Sequence, residues 1–496
     1  MNTKQLRQKI LDLAIRGKLV PQYPTDEPAS TLLERVRAEK ERLIQEGKIK
    51  RNKKDSATIS GDDKLHNEKV PFDVPDGWEW CRLGDVCLDF QYGTSQKSEK
   101  QGKVAVLRMG NLQNGEVDYN DLAFTSDEAD INKYSLNSNE ILFNRTNSPE
   151  WVGKTAIYRG EMPAIFAGYL IRVTPVMINP FFLNFLMNSE YHRSICLQVK
   201  TDGVNQSNIN AQKLSNFIYP LPPLTEQRRI VTAIESIFAV IDEIERNKTD
   251  LQAAVSAAKQ KILALAIRGK FVAQDPNDEP ASILLECVRT ERETIVKEGK
   301  IKKDQLLPSI TEKEIPFDLP DGWEWCRLSQ IAIFSGGKTP STSNSDFWNG
   351  SINWTTSKDM KSKYIDSTIT KISELGAEQM QIFPPKTLLI VVRSGILRRT
   401  LPIAILRQES TVNQDIKTVS FYNDDVCEFI YSYFRAQEEN ILTQYAKSGT
   451  TVESINFEEL KDIPLPIPPL AEQQRIVTAI EAAFEQLDMV VKNLDQ

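Results

Sequence analysis

Residues 224–269 read LTEQRRIVTAIESIFAVIDEIERNKTDLQAAVSAAKQKILALAIRG, and the rest of the chain is organised around them. Ile230, Ile234, Ile237, Ile241, Ile244, Lys248, Leu251, Val255, Ala258, Ile262 and Leu265 recur in alternating steps of four and three. Only Lys248 breaks the apolar seam, so the spacing is that of a coiled coil. It predicts one uninterrupted helix, preceded by the stop of Pro222 and Pro223, capped by Thr225 and ended at Arg268 and Gly269. About 44 residues at a rise of ~1.5 Å make a rod of roughly 65 Å. A second helix must lie along it. A long helix buried in an all-α domain would use the same pattern, but both flanks here are strand-like and rich in Gly and Pro.

The partner helix is in the same chain, cut in two. LAEQQRIVTAIEAAFEQLDMVVKNLDQ, from Leu470, repeats the first half of the central stretch at an offset of 246 and puts Ile476, Ile480, Ala483, Leu487, Val490 and Leu494 on the seam. QLRQKILDLAIRGKLV, from Gln5, repeats the second half at an offset of 252 and adds Leu6, Ile10 and Leu13. Residue 496 corresponds to 250 and residue 1 to 253, so the second copy resumes almost where it stopped. The expectation is a pseudo-twofold, circularly closed duplication whose termini meet in the middle of the rod.

A chain of 496 residues is long enough for several domains. It has no run of 18 apolar residues, and Met1 to Lys18 is charged and amphipathic, so neither a membrane span nor a secretory signal is expected and the chain reads as cytoplasmic. Cys81, Cys87, Cys196, Cys287, Cys326 and Cys427 include no Cys-x-x-Cys pair and read as reduced core thiols. A net charge of −7 argues against non-specific attraction to polyanions, while leaving room for local basic clefts.

The remaining segments fall into matching pairs. After an N-terminal helical segment (1–20) comes a short helix and polar linker (21–70), opened by Asp26 and Pro28 with Leu32, Leu33, Val36 and Leu43 on one face. Its repeat is 270–315, after the central helix at 224–269. The basic run Lys48 to Lys54 reads as solvated linker more readily than as a nucleic-acid contact. Two larger blocks, 71–223 and 316–469, open on PFDVPDGWEWCRL and PFDLPDGWEWCRL and close on LPPL and IPPL, before the C-terminal helical segment 470–496. Between these edges the two sequences diverge almost completely. Runs such as VAVLRM, EILFNR and TAIYRG in the first block, and SINWTT, TLLIVVRS and PIAIL in the second, alternate with Gly, Asn and Ser loops. Each block should therefore be a compact α+β domain. Trp78, Trp80, Trp323 and Trp325 recur at both openings and read as packing anchors, and a tail aligns Gly203 with Gly449 and Ile209 with Ile455.

The DGWEWCRL opening, the G-x5-I-N tail, the exit into LPPLTEQRRIV and the duplicated LAIRGK helices together resemble the specificity subunit of type I restriction-modification systems, over the whole chain. The resemblance implies two α+β target recognition domains separated by a long antiparallel coiled coil that also docks two modification subunits. It implies reading of a bipartite, asymmetric target in double-stranded DNA. Catalysis would belong to partners: adenine methylation with S-adenosylmethionine by the modification subunits, and cleavage by restriction subunits using ATP and magnesium. A coiled-coil adaptor that assembles partners without reading bases is the alternative.

The residues agree that the chain has no catalytic centre of its own. With only His66 and His192, neither a histidine-based triad nor a His-rich metal site is expected. GxxxxGK[ST] does not occur, which excludes an internal P-loop motor. Asn179-Pro180-Phe181-Phe182 approaches the Asn-Pro-Pro-Phe of amino-methyltransferases but lacks the second proline and a preceding glycine-rich loop, so Pro180 reads as opening the helix FFLNFLMNSEYHRSI. DNA contact would then come from loops, where Arg or Lys suits guanine, Asn or Gln suits adenine, and hydroxyl groups adapt. The candidates in the first domain are Gln91, Thr94, Ser95, Lys97, Arg145, Thr146, Asn147, Lys154, Asn205 and Gln206. Those in the second are Lys338, Thr339, Ser341, Arg393, Arg398, Arg399, Asn413 and Gln414. Each could equally be an ordinary loop residue or a phosphate contact.

Overall fold

The computed structural model describes residues 2–49, 70–203, 206–299, 309–447 and 452–495. Contacts divide the chain into two units, Met1–Asn247 and Lys248–Gln496, and the division falls inside one helix, Leu224–Ala266. Each unit is built from three helical segments and an α+β domain.

In the first unit the helix Thr3–Ile15 lies against the start of the long helix and runs opposite to it. Arg7 bonds Asp242 at 2.6 Å and Glu245 at 3.3 Å, while Gln22, further along, reaches Glu226 at 3.0 Å. The second unit repeats the arrangement with Lys259 on Asp488 at 2.6 Å and Gln274 on Glu472 at 3.2 Å. Both short segments end in the same way. Gly17 (φ 65°) and Gly269 (φ 63°) adopt the left-handed conformation, and the next amide donates back to a carbonyl five residues earlier, Lys18 to Leu13 and Lys270 to Leu265. The long helix therefore stops at Ala266, short of Gly269. Thr225 is not its cap; the hydroxyl donates to Asp26 at 2.6 Å and ties the helix start to the segment before the helix Ala29–Gln45.

The apolar stripe is wider at its ends than a coiled-coil seam, and thinner in its middle. Ile10, Ile230, Ile234, Ile241, Val255, Ile476 and Ile480 are buried. Leu11, Ala14 and Ile15 are buried as well, and so are Leu263, Ala266 and Ile267, while Leu6, Leu13, Ile237, Ile262, Leu265 and Leu487 are half-buried. Near the domains each helix packs on two sides, against its partner and against the domain, so the buried face broadens. Ile244, Leu251 and Val490 are exposed, contrary to their seam positions. No domain covers that stretch within either unit, and one neighbouring helix shields a side chain from one direction only.

Each domain is closed by a two-stranded clasp of its near-identical edges: Glu79–Arg82 against Ile218–Leu221, and Glu324–Arg327 against Pro464–Ile467, both antiparallel. Inside, the first domain has a six-stranded sheet in the order Cys87–Tyr92, Leu170–Pro175, Glu140–Asn144, Thr155–Tyr158, Gly115–Val117, Leu112–Gln113. A smaller sheet orders Ala164–Phe166, Val104–Leu107, Ala123–Thr125. The second domain has Ala332–Gly336, Ile416–Phe421, Leu388–Val391, Ile403–Leu406, Tyr364–Ile365, and the smaller sheet Ser410–Val412, Trp348–Thr355, Lys371–Ile372. The pairings shared by the two large sheets run antiparallel three times and then parallel, and both smaller sheets pair parallel then antiparallel. The divergent interiors are thus one topology written twice.

The expected helix FFLNFLMNSEYHRSI is two helices, Pro180–Met187 and Glu190–Val199. Pro180 does open the first, behind Asn179 as N-cap, but Ser189 accepts from the His192 amide and starts a second, since a capping side chain competes with helix continuation. Trp78 and Trp323 are 5% and 6% exposed, and each indole N–H donates at 3.0 Å to a buried carboxylate, Glu226 and Glu472. Burial raises both carboxyl groups above the usual range. The ion pairs Arg229–Asp26 and Arg475–Asp278 stand beside them in each unit. Of the six cysteines, all free, Cys287 is exposed on the helix Ala281–Lys297 and the rest are buried. Among the described residues no helix is long and apolar enough to cross a membrane.

Candidate nucleic-acid interface

In both domains the first strand of the large sheet runs into a glycine wedged against the smaller sheet. At Gly93 a Cβ would collide with the Phe166 carbonyl, and at Gly337 with that of Val412. The following amide donates to the same carbonyl, Thr94 to Phe166 at 2.9 Å and Lys338 to Val412 at 3.0 Å. Only glycine permits this approach, and it throws the next residues out as a loop from a fixed point.

In the first domain that loop meets the end of the Glu140–Asn144 strand. Arg145 is half-buried, stacks on the Tyr92 ring at 4.8 Å and donates to the Gly168 carbonyl at 3.3 Å. Thr146 and Asn147 pair with Ser207 and Asn208 in a small sheet, where Asn208 donates to the Thr146 hydroxyl at 2.8 Å. Ser95, Lys97 and Gln206 are exposed, and Asn205 lies outside the described residues, as do Lys50 to Lys54 and His66. Lys154 is half-buried beside the Trp151 ring, 4.6 Å from its centroid, and 3.2 Å from the Gln113 amide oxygen; burial lowers its pKa. Two candidates are already engaged. Thr94 is 5% exposed with its hydroxyl on Asp130, and Gln91 is held between Arg172 and the Lys133 carbonyl. Both position the loop's root rather than project from it.

In the second domain Lys338, Thr339, Ser341, Arg393, Arg399 and Gln414 are exposed, and the Thr339 hydroxyl meets the Gln414 amide. Val392 donates to the Asp415 carbonyl at 2.8 Å, which sets Arg393 next to that turn. Asn413, 8% exposed, spends its amide on Asp415, and Arg398 is paired with Glu453 at 3.0 Å. Sequence reasoning took these two as candidates because their side-chain types fit; it could not see that Asn413 bonds Asp415 or that Arg398 pairs through Nε with Glu453. It also passed over Trp348 and Trp354, whose indoles contact this loop and whose only signal was a pair of tryptophans in a polar stretch.

The two clusters offer outward donors and cations without an evident reaction centre. No group of three potential metal ligands occurs among the described residues. His192 and Cys196 come within 3.3 Å, but burial holds the imidazole down at about 4 and pushes the thiol up to about 12. Tyr219 at 2.5 Å and the Gly153 carbonyl at 2.9 Å complete the ring's hydrogen bonds, so the pair is core, not nucleophile and base.

A duplicated α+β protein with one polar, cationic loop cluster per domain is the class that fold and geometry define. The family model described as "Type I restriction modification DNA specificity domain" matches residues 75–252 and again 320–494, and the chain belongs to that family. It is similar to the Escherichia coli "Type I restriction enzyme EcoEI specificity subunit", 29% identical over 99% of this chain and 90% of that one. It is likewise similar to the E. coli "Type I restriction enzyme EcoAI specificity subunit", 30% identical over 99% and 91%. A solved structure from work described as "Structural basis underlying complex assembly and conformational transition of the type I R-M system" shares the fold, with a TM-score of 0.60 at 18% identity over 86% of this chain and 94% of that one.

Proposed function

We propose that this chain is the DNA-specificity subunit of a type I restriction-modification complex, in which each domain reads one half of a bipartite, asymmetric target in double-stranded DNA. The observation that carries this is the duplicated topology with unrelated loop residues. Two equal scaffolds present Arg145, Thr146, Lys97 and Gln206 in one case and Lys338, Thr339, Arg393 and Gln414 in the other. One architecture holding two different donor sets suits two different half-sites. The helical segments dock two modification subunits, which bind S-adenosylmethionine and methylate adenine; restriction subunits add ATP- and magnesium-dependent cleavage. The chain itself performs neither reaction and works in the cytoplasm, with its DNA. Co-expression with its modification subunit, followed by sequencing of methylated adenines, should return one split, non-palindromic motif. Methylation without a motif would leave an adaptor that reads no bases.

A further inference from the structure

Trp348 and Trp354 lie on one strand of the second domain and meet edge to face, ring centroids 5.2 Å apart at 82°. Each indole N–H donates to a carbonyl of the loop leaving Gly337: Trp348 to Ser341 at 3.1 Å, Trp354 to Lys338 at 3.2 Å. The same four residues are pinned again by the Lys338 amide on Val412 and by Thr339 on Gln414. The backbone from 338 to 341 is therefore held at both ends while the Lys338 and Ser341 side chains stay exposed.

The first domain solves the same problem differently. Register places Val106, opposite Ile165, where the second domain has Trp354 opposite Thr411. Val106 is 2% exposed in a cluster with Tyr134 and Tyr169 and has no donor to offer. There the loop is stitched by paired backbone bonds between Glu99 and Phe124 and by Thr94 on Asp130. Among the described residues the indole clamp belongs to the second domain alone.

We propose that Trp348 and Trp354 are positioning residues for half-site recognition by the second domain, fixing the loop so that Lys338 and Ser341 meet the base edges of duplex DNA in one arrangement. A loop ordered beforehand loses less freedom on binding, and a reader held in one geometry discriminates better between bases. This rests on the DNA-reading function proposed above.

The test uses the full chain assembled with its modification partner, the mapped target duplex, and duplexes altered in either half-site, with the second domain's half-site assigned by domain exchange. Trp354→Phe and Trp348→Phe keep an aromatic ring and remove one donor each. Discrimination against the altered second half-site should fall roughly fivefold in each variant, the scale of one lost hydrogen bond. Discrimination at the other half-site should not move, and the thermal unfolding midpoint should fall by no more than the few degrees that one lost hydrogen bond accounts for. Unchanged discrimination in both variants, or equal weakening on every duplex, would overturn the proposal, as would two variants that both fail to fold. If only one folds, it carries the same test at its own carbonyl. A wild-type complex that discriminates at neither half-site would instead remove the DNA-reading function, and this inference with it.

Discussion

Asn144 ends the third strand of the first domain's large sheet and is fully buried. Its backbone is satisfied, donating to the Lys154 carbonyl at 2.8 Å and accepting from Gly153 at 2.9 Å, yet neither atom of its side-chain amide has a partner among the described residues. It faces Leu170 across the sheet, on the face that carries Leu142 and Ala156. In the second domain the corresponding residue is Val391, opposite Ile416 and also fully buried. Leaving an amide buried and unbonded costs about 1–3 kcal/mol. Asn144→Val removes that cost and adds apolar contact, less some crowding from the larger side chain. The expected net gain is about 1–2 kcal/mol. Hydrogen exchange of the Glu140–Asn144 amides reads the stability of this unit separately from the other, and should slow by roughly five- to thirtyfold. The reciprocal Val391→Asn should lose at least as much in the second unit. Faster exchange in Asn144→Val would show that the amide is satisfied in the folded protein, and would refute the reasoning.

Glu226→Ala and Glu472→Ala each strand a buried tryptophan N–H, so each should cost about 1–3 kcal/mol in its own unit, and the double variant should show the plain sum. A coupling above about 0.5 kcal/mol would contradict independent junctions. His192 stays neutral in the fold, with a pKa of about 4 against 6.5 when unperturbed, so the unfolded chain binds the extra proton first. Its contribution is complete above pH 6.5 and lost as pH falls toward 4, a change of up to roughly 3 kcal/mol. An acid slope of the urea midpoint that is the same in wild type and His192→Asn would exclude this source. Exchange of residues 323–466 for the corresponding domain of a relative should alter one half of the methylated motif and keep the other, and a motif changed in both halves would end the two-reader account.

What the sequence made legible was whatever repeats residue by residue. The helices and the WEWCR edges recur nearly unchanged because a helix pair and a strand clasp are fixed by side-chain packing, so their residues cannot drift independently. The interiors hid their kinship because sheet pairing runs through backbone N–H and C=O groups, which any β-forming sequence supplies. Only register shows that Asn144 stands for Val391 and Val106 for Trp354. Loop residues were legible as chemical types and not as free or engaged groups: Lys338 and Arg393 project, whereas Thr94 and Arg398 are engaged by Asp130 and Glu453, far off in sequence, and Asn413 by Asp415 in its own turn. Glu226 and Glu472 did carry a signal, an identical Glu-Gln after each proline pair, that a purely apolar reading of the seam passes over.

The helix pairs impose an order of events during synthesis. Arg7 waits 235 residues for Asp242, and Lys259 waits 229 for Asp488. The first unit has all its parts once residue 247 has left the ribosome. From then until Asp488 is made, Val255, Leu263, Ala266 and Ile267 are already translated but lack the returning helix, one of the two surfaces they pack against. At about 5–20 residues per second that interval lasts tens of seconds or less, long compared with helix formation. A nascent chain held at that stage offers one finished half and one sticky apolar stripe, which makes it the natural moment for a chaperone to bind or for two unfinished chains to pair.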